Sequence, residues 1–188
     1  MWAPSEELQS LVRRLPVQAN LCYVADGRQL DPLLVTQMME LLDEGIGVYT
    51  ARATVRGRRA VITHAQSRTI MLTTGNTGNM ALLAFVCFQL DNEGPPKAGY
   101  ILELHVKPSF GEAITRRIGV GWYLLKEAER TLAASTPPLG WTSAPPANMK
   151  FTLTVHSTNV AAKALYRKAG YIYHSPAGGS QEIWTVQR

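Results

Sequence analysis

The run Tyr100-Ile101-Leu102-Glu103-Leu104-His105-Val106, with Arg116-Arg117-Ile118-Gly119-Val120-Gly121 and then Trp122-Tyr123-Leu124-Leu125 after it, constrains this chain more than any other stretch. The first part reads as a strand and the last as the start of an amphipathic helix. Strand, loop, a pair of glycines and a helix are the parts of a phosphate-binding turn. Glycine has no Cβ to keep an anion away from the backbone. A helix beginning near Ile118 aims its unpaired N–H groups, and roughly half a positive charge, at that anion. Arg116 and Arg117 read as phosphate contacts, or else as a solvated basic pair.

A second segment, Phe151-Thr152-Leu153-Thr154-Val155-His156-Ser157-Thr158-Asn159, leads into Val160–Ala169, Gly170 and Tyr171. It reads as a β-branched strand, an Asn at the turn, a helix closed by glycine and another strand. The two segments together resemble the signature motifs of the GNAT superfamily of N-acetyltransferases. The family's acetyl-CoA motif, Arg/Gln-x-x-Gly-x-Gly/Ala, falls on Arg116, Gly119 and Gly121. Its second motif, Asn-x-x-Ala-x-x-x-Tyr-x-x-x-Gly-Phe/Tyr, falls on Asn159, Ala162, Tyr166, Gly170 and Tyr171.

The resemblance implies a single α/β (α+β) domain, with a mixed, mostly antiparallel central sheet flanked by helices. Residues 20–188 would form it, and residues 1–19 an N-terminal helix and extension. It also implies acetyl-CoA as cosubstrate and no metal. The backbone from Arg116 through Arg117, Ile118, Gly119 and Val120 to Gly121 would hold the pyrophosphate, and the strand edge at Leu104, His105 and Val106 the pantetheine arm.

The other elements follow from caps and spacing. Ser5 opens a helix to Arg14, Leu21–Val24 is a short strand, and Asp31-Pro32 opens a helix that Gly45 ends. Val48–Gln66 is ambiguous, a second helix broken near Gly57. Thr69–Thr73 and Ala81–Leu90 read as strands. Residues 135–148, with Pro137, Pro138, Pro145 and Pro146, read as an exposed loop. The last strands meet at Pro176–Ser180.

Acetyl transfer to an amine needs a held donor, an unprotonated amine and a leaving thiolate that is stabilised or protonated. Glu103 is the carboxylate of an otherwise apolar strand, where an unpaired charge is costly. It reads as the general base of a direct transfer, or as half of an ion pair with a neighbouring helix. Tyr166 matches the family tyrosine that donates to the CoA sulfur; read alone, it is equally a core aromatic. Asn159 caps its helix or contacts the pantetheine arm. His105 and His156 lie beside these elements; both read as bystanders, with a proton-relay role as the alternative.

A narrower resemblance is to the NatD family, which acetylates the N-terminal α-amine of core histones. It rests on Leu30-Asp31-Pro32, Phe88–Glu93, Leu102-Glu103-Leu104, Leu153-Thr154-Val155 and Gln181-Glu182-Ile183. It implies that Asp91 and Glu93 receive a basic protein N-terminus such as a histone tail; read alone, they form an acidic turn. An α-amine titrates at about 7.7–8.0 against about 10.4 for lysine, so a modest base suffices for it. A small-molecule amine or a lysine is the alternative acceptor, and a non-catalytic acyl-CoA-binding regulator is the alternative class.

The net charge of +5 invites nucleic acid, yet the basic residues are scattered and fit no nucleic-acid-binding module. The apolar run Met80–Phe88 is too short to span a bilayer, and no secretory leader is legible. Cys22 and Cys87 form no metal spacing and read as buried free thiols. A monomer in the cytoplasm or nucleus is the expectation.

Overall fold

Side-chain caps set the first helices where the sequence places them. In the computed structural model, which describes residues 2–46, 52–75, 79–91, 98–108, 118–135 and 149–188, the Ser5 hydroxyl accepts from Leu8 N at the start of α1 (Glu6–Arg13). Asp31 accepts from Leu33 N at 2.7 Å and opens α2 (Pro32–Ile46). Further on come α3 (Arg52–Ile62), α4 (Val120–Ala133) and α5 (Val160–Lys168), the last capped by Asn159.

The strands are β1 (Ala19–Val24), β2 (Arg68–Thr74), β3 (Ala81–Asp91), β4 (Ala98–Val106), β5 (Lys150–His156), β6 (Ile172–Gly178) and β7 (Gln181–Gln187). They form one sheet in the order β1-β2-β3-β4-β5-β7-β6. Every neighbouring pair is antiparallel except β4 and β5, which run parallel. A mixed, mostly antiparallel sheet flanked by helices is the architecture the sequence predicts.

Each face of the sheet carries its own core. On one face α1, α4 and α5 pack over Ile70, Leu72, Val86, Phe88, Ile101 and Phe151. On the other, α2 and the end of α3 cover Met71, Phe85 and Cys87. Strands buried on both faces read as continuous apolar runs rather than alternating ones, which is how β3 reads in the sequence.

Two details differ from the sequence expectation. Gly45 does not end α2, which continues to Ile46; a Cβ on Gly45 would lie 3.1 Å from His105 Nδ1, so the glycine permits close approach to β4. α3 is not broken at Gly57. That position faces open space, and its cost is the ordinary propensity deficit of about 1 kcal/mol. Cys87 is buried and free, whereas Cys22, also free, is only half-buried.

Two departures from regular pairing shape β4. Ile101 pairs with Phe88 but Glu103 pairs with Cys87, so Leu102 is an extra residue on β4, a β-bulge. The parallel ladder to β5 covers only Ala98–Ile101 against Lys150–Leu153. Past that point the two strands separate. The paired part is tightly packed: a Cβ on Gly99 would stand 2.7 Å from Phe151 Cδ1 and 2.9 Å from Leu132 Cδ1. Gly99→Val should therefore lower the stability of the fold by about 1–3 kcal/mol, read as a lower urea midpoint; an unchanged midpoint would mean that this contact is looser than described.

Candidate functional site

The bulge and the strand separation build the site between them. Side chains alternate along a strand, so an inserted residue exchanges the faces of everything after it. Past Leu102, Leu104 and Val106 pack against the α4 core. Glu103 and His105, paired with Cys87 and Phe85 of β3, face the α2–α3 side. The cleft between the separated strands is lined by Arg58, Glu103, Leu104, His105, Thr154, His156, Asn159, Ala162, Tyr166 and Gln181, among others.

Three of these residues come from one stripe of α5. Asn159, Ala162 and Tyr166 are spaced i, i+3 and i+7, which puts them on one face of a helix. Asn159 Oδ1 accepts from Ala162 N at 3.1 Å, so the cap reading holds. Tyr166 is 7% exposed. Burial, and next the charge of Glu103, raise its phenol above the ordinary range. The group is then a neutral O–H donor at physiological pH.

Glu103 is also 7% exposed, and it is not the unpaired charge that its strand suggests. Arg58 Nη1 of α3 donates to Oε1 at 2.6 Å, and His105 Nε2 lies 3.0 Å from Oε2. The ion pair with a neighbouring helix, the alternative reading of this residue, is present. The His105 ring is stacked on Phe85, with centroids 5.4 Å apart. Opposite Glu103 on β3, burial pushes the Cys87 thiol up to about 12, which leaves it a protonated packing group. His156 Nδ1 lies 2.8 Å from Thr158 Oγ1 in the turn before α5.

Beside the end of β4 stands the first turn of α4. Gly119 caps it with φ +82°, a left-handed conformation that side chains with a Cβ rarely adopt. The first-turn amides of a helix have no intrahelical acceptor. Gly121 brings this turn close to α5 and β4: its Cβ would meet Leu165 of α5 at 3.4 Å and Val106 of β4 at 3.6 Å. The backbone edge of β4 beyond Ile101, left without a β5 partner, leads towards this turn.

The cleft brings together Glu103, Leu104, His105, Asn159 and Tyr166, whereas Val106, Ile118, Gly119, Val120 and Gly121 are not among its lining residues, although Gly121 stands beside Val106. Arg116, Arg117 and Glu93 lie outside the described residues, as does the side chain of Asp91, whose backbone ends β3. Among the described residues, no group of three or more His, Cys, Asp or Glu is placed to hold a metal. No helix among them is long and apolar enough to cross a membrane.

Sequence reasoning missed Arg58, Thr154 and Gln181. For Arg58 a signal existed: it stands four residues before Ile62, which is fully buried. It therefore lies on the inward face of α3, unlike the exposed Arg56 and Arg59. Arg58 Nε is also buried with no hydrogen-bond partner.

No protein-family model matches the sequence, and no curated protein matches it. Solved structures do. PaiA N-acetyltransferase from Thermoplasma acidophilum, in complex with coenzyme A, is 13% identical; the match covers 90% of this chain and 99% of that one, with a TM-score of 0.58. NAA60 from Arabidopsis thaliana, in complex with a bisubstrate analogue, is 12% identical, with the same coverage and a TM-score of 0.58. The ribosomal-protein-S18-alanine N-acetyltransferase from Escherichia coli is 16% identical over 89% of this chain and 94% of its own, with a TM-score of 0.52. At such identities the likeness establishes the fold, which is that of the GNAT acetyltransferases.

Removing one partner of a buried ion pair strands the other charge. Arg58→Ala should cost on the order of 3 kcal/mol of stability. The apolar double variant Arg58→Met/Glu103→Leu should recover most of that loss in denaturant titration. A single variant as stable as the wild type would mean that the pair is solvated.

Proposed function

We propose that this chain is an acetyl-CoA-dependent N-acetyltransferase that acts on a protein N-terminal α-amine, with basic N-termini of the core-histone type as first candidates. The observation that carries the reading is the separation of β4 from β5 next to Glu103 and Tyr166. Unpaired strand backbone can hydrogen-bond an extended pantetheine arm in the way that a further strand would. The first turn of α4, with Gly119 and Gly121, then suits the pyrophosphate, aided by Arg116 and Arg117.

The chain's own residues supply the chemistry around the thioester. Glu103 carries the negative charge that draws the proton from the amine as it attacks. Tyr166 donates its hydroxyl proton to the departing thiolate. Asn159 holds the α5 turn against the cleft, and the Leu104, His105 and Val106 backbone fixes the arm. The protein acceptor is favoured by the structural neighbour named for acetylating an alanine of ribosomal protein S18. Another structure with this fold, the NatC complex, is bound to a Gag peptide and CoA. Asp91 and Glu93 are the residues we assign to a basic N-terminus. Asp91 is the last residue of β3 and Glu93 comes two positions later in the sequence; β3 neighbours the Glu103 strand.

The deciding assay is acetyl transfer from labelled acetyl-CoA to core-histone peptides beginning Ser-Gly-Arg-Gly, with free and with blocked α-amines. Transfer to the free amine alone is the expected result, and Asp91→Lys should raise the KM for such peptides. Transfer to blocked peptides would reassign the acceptor to lysine. Glu103→Gln should lower kcat about 10²-fold with acetyl-CoA affinity unchanged; unaltered turnover would remove Glu103 from the mechanism. Gly119→Val, placing a β-branched side chain at positive φ on the phosphate turn, should abolish acetyl-CoA binding in calorimetry while the circular dichroism spectrum stays that of the wild type.

A further inference from the structure

Glu103 has both carboxylate oxygens engaged, and this bears on where the amine proton goes. Oε1 is held by Arg58 at 2.6 Å and Oε2 by His105 Nε2 at 3.0 Å. An ionised carboxylate only accepts hydrogen bonds, so the shared proton belongs to Nε2, and whenever the ring is neutral its lone pair is at Nδ1. Stacking on Phe85 holds the ring plane. Nδ1 faces the last turn of α2 at Gly45, where an alanine methyl would stand 3.1 Å away. No described residue is hydrogen-bonded to Nδ1, and Gly45 is exposed.

We propose that His105 Nδ1 accepts the amine proton and that Glu103, anchored by Arg58, is the residue that positions and charges the imidazole. The inference rests on the acetyltransferase reading above and refines the part of Glu103 in it. A carboxylate oriented on the far nitrogen of an imidazole selects its tautomer and stabilises the imidazolium that forms. Among the described residues, the charged groups around the ring are Glu103 on its own strand and, through it, Arg58 on α3. β3 contributes the uncharged Phe85, and on α2 the neighbours of Gly45, Asp43 and Glu44, are exposed to solvent.

The step balances. The amine nitrogen forms a bond to the thioester carbonyl carbon, and its proton passes to Nδ1. The carbon–sulfur bond breaks, and the thiolate takes the Tyr166 hydroxyl proton. The imidazolium then loses a proton to solvent and the tyrosinate regains one, leaving amide and thiol.

The test uses the whole chain. His105→Ala should bind acetyl-CoA with an unchanged Kd but lose about 10²–10⁴-fold in kcat, and added imidazole should restore part of the loss. Imidazole should do nothing for Glu103→Gln, whose own ring is still in place. Full turnover by His105→Ala, or a loss that imidazole does not relieve, overturns the inference while leaving the acetyltransferase reading intact. A wild-type chain that binds no acetyl-CoA would instead sink that reading. A second measurement does not depend on the variant folding or on the acceptor. In ¹⁵N spectra of the wild-type histidines, the His105 ring should show N–H at Nε2 and a bare Nδ1; the opposite tautomer overturns the proposal.

Discussion

The parallel ladder between β4 and β5 ends at Ile101 and Leu153 although both strands continue, and the site depends on that early end. Were the ladder to run to Val106, the cleft would close and the backbone groups of β4 would be consumed by β5. Two features keep it open. The bulge at Leu102 adds local twist to β4, as bulges do. Meanwhile β5 stays committed to β7 along its whole length, from Lys150–Gln187 to His156–Gln181, so it cannot follow β4 away. Pairing lost on one side is retained on the other, and the sheet remains one sheet.

The same bulge explains why a charge can lie in the centre of the sheet. Without the insertion, Glu103 would face the apolar packing of α1, α4 and α5. With it, the carboxylate reaches the α2–α3 face, where Arg58 comes down from α3. A buried ion pair is a weak source of stability, because desolvation consumes most of the Coulombic gain. A well-packed apolar pair would serve the fold as well. That Arg58, Glu103 and His105 are found together instead points to a use for the charge, and the cleft they line supplies one.

How much of this was legible in the sequence depends on what kind of signal each part carries. Ser5, Asp31 and Asn159 act as caps through local geometry, and all three were readable. The stripe Asn159, Ala162 and Tyr166 was readable because helical spacing alone puts those side chains in one line. Gly45 was misread as a helix stop because its reason is tertiary: it is small where His105 approaches. Gly57 was misread as a break because the cost of a helical glycine is modest when nothing crowds it. The Arg58–Glu103 pair spans 45 positions of chain, and no local pattern names its partner. Nor does a local pattern show which face His105 takes, since a bulge changes the face of a residue without altering the apolar composition of the strand.

These cases divide along the two faces of the sheet. On the α4–α5 face, the proposed recognition of a phosphate and an extended arm would fall to backbone groups, so glycines, caps and strand edges would carry it and leave marks in the sequence. On the α2–α3 face, side chains from three elements must meet around one carboxylate, and any of several combinations could do so. A sequence pattern can therefore specify the donor half of the site while leaving the acceptor half open. In the function proposed above, the acceptor would be selected where Arg58, Glu103 and His105 converge beside Gly45. Changes confined to that side should alter which amine is used, or how its proton leaves, without disturbing the turn at Gly119.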